Sequence, residues 1–177
     1  GAALFPRLVV DAGRDAEVTV IERFVPAAGA ELDAAFVAPV VQLRAEPAAR
    51  VTYLALNEAG PHTWQIGNQQ AVGDRDSRTT VATVTLGGDY VRARTEARLS
   101  GQGGSTKQVA LYFAGGTQMH DFRTIQDHDA PNTSSDLLFK GAVQDEAASV
   151  YTGLIKIRKH ANGTAAFQTN RNLTLSE

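Results

Sequence analysis

The chain has 177 residues, of which 17 are basic and 19 acidic, giving a formal net charge of −2, with 7% aromatic side chains and no cysteine. That length suits one domain with a sizeable core, spanning residues 1–177. Without cysteine these residues can supply no disulfide, thiolate metal ligand, cysteine nucleophile or thiolate-held iron–sulfur cluster, and a near-balanced, dispersed charge argues against nucleic acid or anionic lipid as a partner.

In chain order, the start Gly1-Ala2-Ala3-Leu4 has neither a basic flank nor a long apolar run, so no signal peptide or membrane span is expected. Runs with strand-type alternation, rich in Val, Thr, Ile, Leu and Tyr, follow at 17–24 (EVTVIERF), 50–56 (RVTYLAL), 80–86 (TVATVTL), 108–115 (QVALYFAG), 137–143 (LLFKGAV), 149–157 (SVYTGLIKI) and 170–175 (NRNLTL). Only the stretch around Ala27 to Phe36, containing GAELDAAF, has a helix-friendly composition, and it is too short to anchor a bundle.

Short polar turns that look alike precede these runs: AGRDAE, AEPAAR, GDRDSR, GQGGSTK, QDEAAS and HANGTA. Their step is roughly 30 residues over the first two thirds and about half that near the end, with a second strand inside each long step. Strand repeats without helical crossovers fit either an antiparallel sandwich or a β-solenoid. Asn162-Gly163 is the one tight-hairpin signal, so the solenoid is favoured. A chain that closes on the strand-type run NRNLTL then presents a rung to which another coil, or a second copy, can add.

The stretch 119–129 carries the densest polar side chains. If extended, it places His120, Phe122, Thr124, Gln126 and His128 on one face and Asp121, Arg123, Ile125 and Asp127 on the other. The two histidines then lie about 26 Å apart, too far to share a metal. A local pairing of His128 with Asp127 or Asp129, or a hydrolytic set of Ser134, His128 and Asp127, is disfavoured against histidines satisfied structurally, because no nucleophile elbow is present. Arg92, Arg94 and Arg98, with Glu96 among them, read as a mixed solvated face. Gln168, Asn170 and Asn172 share one face near the end, with Arg171 on the other, and read as a ladder of stacked amides.

The C-terminal third resembles a known family. Asp127-His128 followed by Ala130-Pro131, Ser135 through Lys140-Gly141, Gly153 with Ile155 and Ile157, Ala165 through Gln168, and above all Asn170-Arg171-Asn172-Leu173 are similar to the core of the SufB/SufD family of the SUF iron–sulfur cluster assembly system. The last motif favours SufD. Upstream, Phe5-Pro6-Arg7 leading into LVVDAGRDAEVTVIERF fits the opening of that core.

The resemblance implies an all-β fold, a right-handed parallel β-helix truncated at its C-terminal end, with the family's flanking helical regions absent from 1–177. It implies a cytoplasmic, non-enzymatic, SufD-like scaffold that supports cluster assembly and iron acquisition. The implied partners are a SufB-like subunit and a SufC-like ATPase, with the iron–sulfur cluster handled by the full complex and no cofactor bound by these residues. His128, Lys140, Asn170, Arg171 and Asn172 are the matching residues of functional or structural weight. Two alternatives from other classes are a carbohydrate-active β-solenoid, which needs aromatic platforms where this chain has one tryptophan, Trp64, and a purely structural solenoid.

Overall fold

The computed structural model describes residues 1–26 and 34–176, and among them every regular element is a strand. In chain order these are β1 (Ala2–Leu4), β2 (Arg7–Ala12), β3 (Glu17–Phe24), β4 (Ala35–Val37), β5 (Val40–Ala45), β6 (Arg50–Asn57), β7 (Thr63–Gly73), β8 (Arg78–Thr85), β9 (Tyr90–Leu99), β10 (Ser105–Ala114), β11 (Met119–His128), β12 (Ser134–Val143), β13 (Ala148–Ile157) and β14 (Ala165–Thr174). They form a β-solenoid of roughly six coils with two parallel sheets. One sheet has eight strands, β1, β2, β4, β5, β7, β9, β11 and β13; the other runs β14-β12-β10-β8-β6-β3. The helix-friendly residues 27–33 lie outside the described residues, and Ala35 and Phe36 belong to β4. No helix is long and apolar enough to cross a membrane.

Parallel pairing fixes the coil length. Along one file of the six-stranded sheet, Glu17 pairs with Arg50, then Arg78, Ser105, Ser134 and Ala165 follow, at steps of 33, 28, 27, 29 and 31 residues. The coil length therefore does not halve near the end. The turn QDEAAS, counted with the others in sequence, sits at the opposite corner, between β12 and β13. Pro6 and Pro39, which lack an amide proton, split the first two coils of the larger sheet into β1/β2 and β4/β5, whereas β7 runs through unbroken.

The corners leading into the six-stranded sheet share one device. Asp15, Ala48, Asp76, Gly103, Asn132 and Gly163 all adopt positive φ, between 56° and 75°. Such a conformation suits Gly, Asn and Asp and disfavours Ala. Each of the first five passes its amide proton to the next coil: Asp15 to Pro47, Ala48 to Arg75, Asp76 to Gln102, Gly103 to Pro131 and Asn132 to Asn162, at 2.8–3.2 Å. The turn residues were legible in the sequence as polar punctuation, but their stacking follows from the ladder.

Inward-facing positions alternate with outward ones, and the interior changes character along the stack. The first coils bury Val41, Leu43, Val51, Tyr53 and Val81 among alanines. The later coils bury aromatics: Tyr112 and Phe122 have centroids 4.7 Å apart, Phe122 and Phe139 5.7 Å, and Phe139 and Tyr151 5.1 Å. Polar side chains fill the remaining files, many of them paired with one another, while both ring nitrogens of His120, Gln108 Oε1 and Gln126 Nε2 have no side-chain partner. Gln69 Oε1 accepts from Thr83 and Thr95, and Thr79 donates to Thr106. Glu22, half-buried, accepts the Tyr53 hydroxyl at 2.6 Å, which together with burial pushes that phenol's pKa well up.

Tyr112 makes the longest interior connection. A side chain on Gly141 in the next coil would collide with its ring, the added carbon falling 2.0 Å from the ring's outer carbon. Glycine therefore opens a passage, and the Tyr112 hydroxyl reaches Asn172, two coils on. Gly141→Ala should destabilise the chain by about 2 kcal/mol through overpacking. Tyr112→Phe, which keeps the ring and loses the bond, should cost about 1 kcal/mol. Urea denaturation midpoints check both, and equal losses in the two variants would count against the passage.

Both histidines of β11 are fully buried on the inner face. Burial lowers the His120 pKa to about 4, with the nearby Gly87 and Gly88 backbone offsetting part of the penalty, and it also lowers that of His128. The unfolded chain, with imidazoles near 6.5, binds protons that the folded chain refuses. Stability is thus full above pH 6.5 and falls as the pH drops towards 4, His120 accounting for about 3 kcal/mol of the loss. Urea midpoints measured across this window should decline. The decline should flatten in His120→Phe, whose ring would pack among Tyr112 and Phe122.

Candidate functional site

The alternation of β11 separates the residues that proximity in sequence brings together. His128 points inward, whereas Asp127 points outward to Arg158 Nε and Nη2, at 3.0 and 2.7 Å. Asp129, in the following turn, meets Arg98, Arg158 and His160. The Arg158 guanidinium holds the Asp127 carboxyl below the usual carboxylate range, and the Arg98 guanidinium does the same for Asp129.

Ser134 is exposed on the outer face of β12, so Ser134, His128 and Asp127 form no triad. His128 instead lies between Thr133 Oγ1, 2.8 Å from Nδ1, and Ser135 Oγ, 2.9 Å from Nε2. Ser135 donates to Gln126 Oε1 at 2.7 Å. With that proton committed, Nε2 of His128 donates to Ser135, and Nδ1 is left facing Thr133, whose one hydroxyl proton is shared between Nδ1 and the Ala130 carbonyl at 3.1 Å. All four side chains are buried, and the set is structural: a neutral imidazole wired between the two sheets of one coil. Among the described residues no group of three or more histidines or carboxylates is arranged to hold a metal.

The C-terminal motif divides between two faces. Asn170 and Asn172 lie on the inward-facing side of β14 but are exposed. Asn172 is engaged by Tyr112, not by another amide. Arg171 and Lys140 are outward-facing neighbours, and Leu111 precedes them in the same file. Neither Lys140 nor Arg171 makes an ion pair within 4 Å among the described residues.

The surface around them is apolar. Across the outer face of the six-stranded sheet, one file reads Ile21, Leu54, Ala82, Val109, Leu138 and Thr169, and the next Arg23, Leu56, Val84, Leu111, Lys140 and Arg171. Leu86, Phe113 and Leu173 extend it, and Ile21, Leu86, Leu111, Phe113 and Leu173 are all at least 38% exposed. Arg78 and Lys107 stand at the other margin. Contiguous exposed apolar surface with a polar rim marks a place of contact with another molecule. The signal was present in the sequence: stretches such as QVALYFA are apolar at both parities, which fits a strand covered on both faces.

The outer face of the eight-stranded sheet differs. It carries arginine–carboxylate sets, including Arg92 and Arg123 on Asp121, and the lone tryptophan, Trp64, which is half exposed and packs on Tyr90 with centroids 5.1 Å apart. Arg92, Arg94 and Arg98 do share that face, as their spacing indicates, but Arg123 and Asp121 join them from the next coil, which spacing along one strand cannot show.

Comparison with known proteins agrees with this architecture. Residues 1–177 match the family model described as "SUF system FeS cluster assembly, SufBD core domain". An iron–sulfur cluster assembly SufBD family protein of Mycobacterium tuberculosis is 35% identical over 144 residues, covering 77% of this chain and 36% of the relative. The iron–sulfur cluster assembly protein SufD of Escherichia coli is 26% identical over 168 residues, covering 95% of this chain and 39% of its own. A second SufBD family protein of Mycobacterium tuberculosis is 23% identical over 125 residues, 71% of this chain and 15% of its own. The chain thus spans little more than a third of the length of the first two of these relatives and less of the third. A family model that covers every residue, matched by a solenoid of parallel coils, places the chain in the SufBD core domain family of the SUF system.

Proposed function

We propose that this chain is the solenoid core of a SufD-like scaffold component of the SUF cluster assembly complex, working in the cytoplasm through protein–protein contacts. In this reading it has no catalytic role, and the iron–sulfur cluster is the cargo of the complex. The full-length protein pairs with a SufB-like subunit and a SufC-like ATPase and supports cluster building and iron acquisition. Likeness to a protein whose name is SufD, over 95% of this chain, supports the choice of SufD.

The observation that carries the contact role is the apolar outer face of the six-stranded sheet, rimmed by Arg78, Lys107, Lys140 and Arg171. The rim is mainly cationic, with Asp136 beside Lys107 as a carboxylate within it, and it fits a protein surface with an apolar middle and a mostly acidic margin. We assign that surface to the SufB-like subunit.

Affinity copurification of the full-length protein from its own cells tests the scaffold reading. An ATPase of the transporter type and a second solenoid subunit should be enriched, and their absence from intact, folded protein would sink it. Leu111→Glu with Phe113→Glu tests the face. Both positions are only partly covered, Leu111 52% and Phe113 38% exposed, so the fold should persist with a loss of about 1–2 kcal/mol, while recovery of the SufB-like subunit should fall severalfold. Unchanged recovery would move the contact elsewhere.

A further inference from the structure

On the outer face of the eight-stranded sheet, where Pro39 separates β4 from β5, a recess of about 340 Å³ opens beside β7. Its polar lining is Asn68, Arg92, Arg94 and Arg123, and its apolar walls include Pro39 and Ile66. Gly67 contributes no side chain, and a carbon added there would come 3.2 Å from the Pro39 ring.

The register explains why three arginines converge. Asn68 pairs with Arg94, which pairs with Arg123, so one file carries an amide and two guanidiniums on successive coils. Arg92 stands one outward position earlier on β9. Strands in a sheet are about 4.8 Å apart, and like charges in adjacent register positions repel. Asp121 relieves part of this. Although it faces outward, it is only 2% exposed, covered by the guanidiniums it binds. It accepts from Arg92 Nε and Nη2 at 2.8 Å and from Arg123 Nη2 at 3.2 Å. Glu96 accepts from Arg94 Nη2 at 3.1 Å.

Three guanidiniums against two carboxylates leave one positive charge at the recess. Donors also remain: Nη1 of Arg92, Nη1 of Arg123, and Nε and Nη1 of Arg94 take part in none of these bonds. Asp121 holds two of the guanidinium planes in place before any ligand arrives, which lowers the ordering cost of binding. A carboxylate ligand, with two oxygens, satisfies one such fork. A tetrahedral oxyanion presents oxygens to several at once, and arginine forks match that geometry.

We propose that this recess binds a tetrahedral oxyanion of the phosphate class, through Arg92, Arg94 and Arg123 with Asn68 at its edge. The volume exceeds that of a bare phosphate, so the group can arrive as the free anion or as a phosphomonoester. The site lies on the sheet opposite the apolar contact face and does not depend on the scaffold reading.

The test is isothermal titration calorimetry on the full-length protein, with inorganic phosphate and glycerol 3-phosphate as separate probes and acetate as control, at constant ionic strength. Saturable binding of either phosphate probe, with acetate much weaker, is expected. Equal affinity would identify the free anion as sufficient, and tighter binding of the ester would assign the site to phosphorylated small molecules. Arg94→Gln should weaken binding about tenfold or more with the circular dichroism spectrum unchanged, because Arg94 is itself half exposed and the glutamine amide can still donate to Glu96. Arg123→Gln should weaken binding similarly, and because it also loosens Asp121 it is read only alongside Arg94→Gln. Failure of both phosphate probes to saturate, or binding indifferent to Arg94→Gln, would overturn the proposal.

Discussion

The parallel backbone ladder between consecutive coils is the interaction on which the rest of this molecule depends. Every strand pairing is parallel and in register, and the ladder does not stop at the strand ends. At the corners into the six-stranded sheet, left-handed residues from Asp15 to Asn132 pass their amide protons to the coil beyond. A solenoid has no helix to cover its turns, and backbone groups left unpaired along a closed edge would be costly. Once the ladder is fixed, each side chain belongs to a file, and its neighbours are residues about 30 positions away in sequence.

Files sort the chemistry. Inward files alternate between apolar blocks and polar groups, some paired as Gln69 is with Thr83 and Thr95, others, such as His120, held neutral by burial alone. Outward files give the two sheets different surfaces: one apolar with a cationic rim, the other laced with arginine–carboxylate pairs. A scaffold that must contact protein on one side and stay solvated on another gains both from one repeated strand.

Several of the strands named from sequence belong to the six-stranded sheet, because β6, β8, β10 and β12 are apolar at both parities and stand out from their turns. Strands of the other sheet, such as β9 with Arg92, Arg94, Glu96 and Arg98 facing out, give a weaker hydrophobic signal, and of their alternating runs only β13 was named directly, with β11 singled out for its polar residues. The two faces of β11 were readable from period-2 alternation, which sets Asp127 and His128 on opposite sides of the strand. The resemblance motif pointed to Lys140 and Arg171 but not to their role, since an exposed, unpaired pair acquires meaning only beside Leu111 and Phe113. The convergence of Arg94 and Arg123 was invisible for the same reason. It depends on a 29-residue register that no local pattern encodes.

The thread from Tyr112 past Gly141 to Asn172 changes how the stack comes apart. In an ideal solenoid each repeat touches only its immediate neighbours, so unfolding proceeds like a zipper, one rung at a time. Here a phenol rooted among Phe122 and Phe139 is fastened to a side chain two rungs away. Releasing β14 also releases the hydroxyl end of a ring that helps order the aromatic interior. The three coils that contain β10, β12 and β14 are thereby coupled beyond nearest neighbours, and they should open as a block, with amide protection that is uniform across them rather than graded from rung to rung.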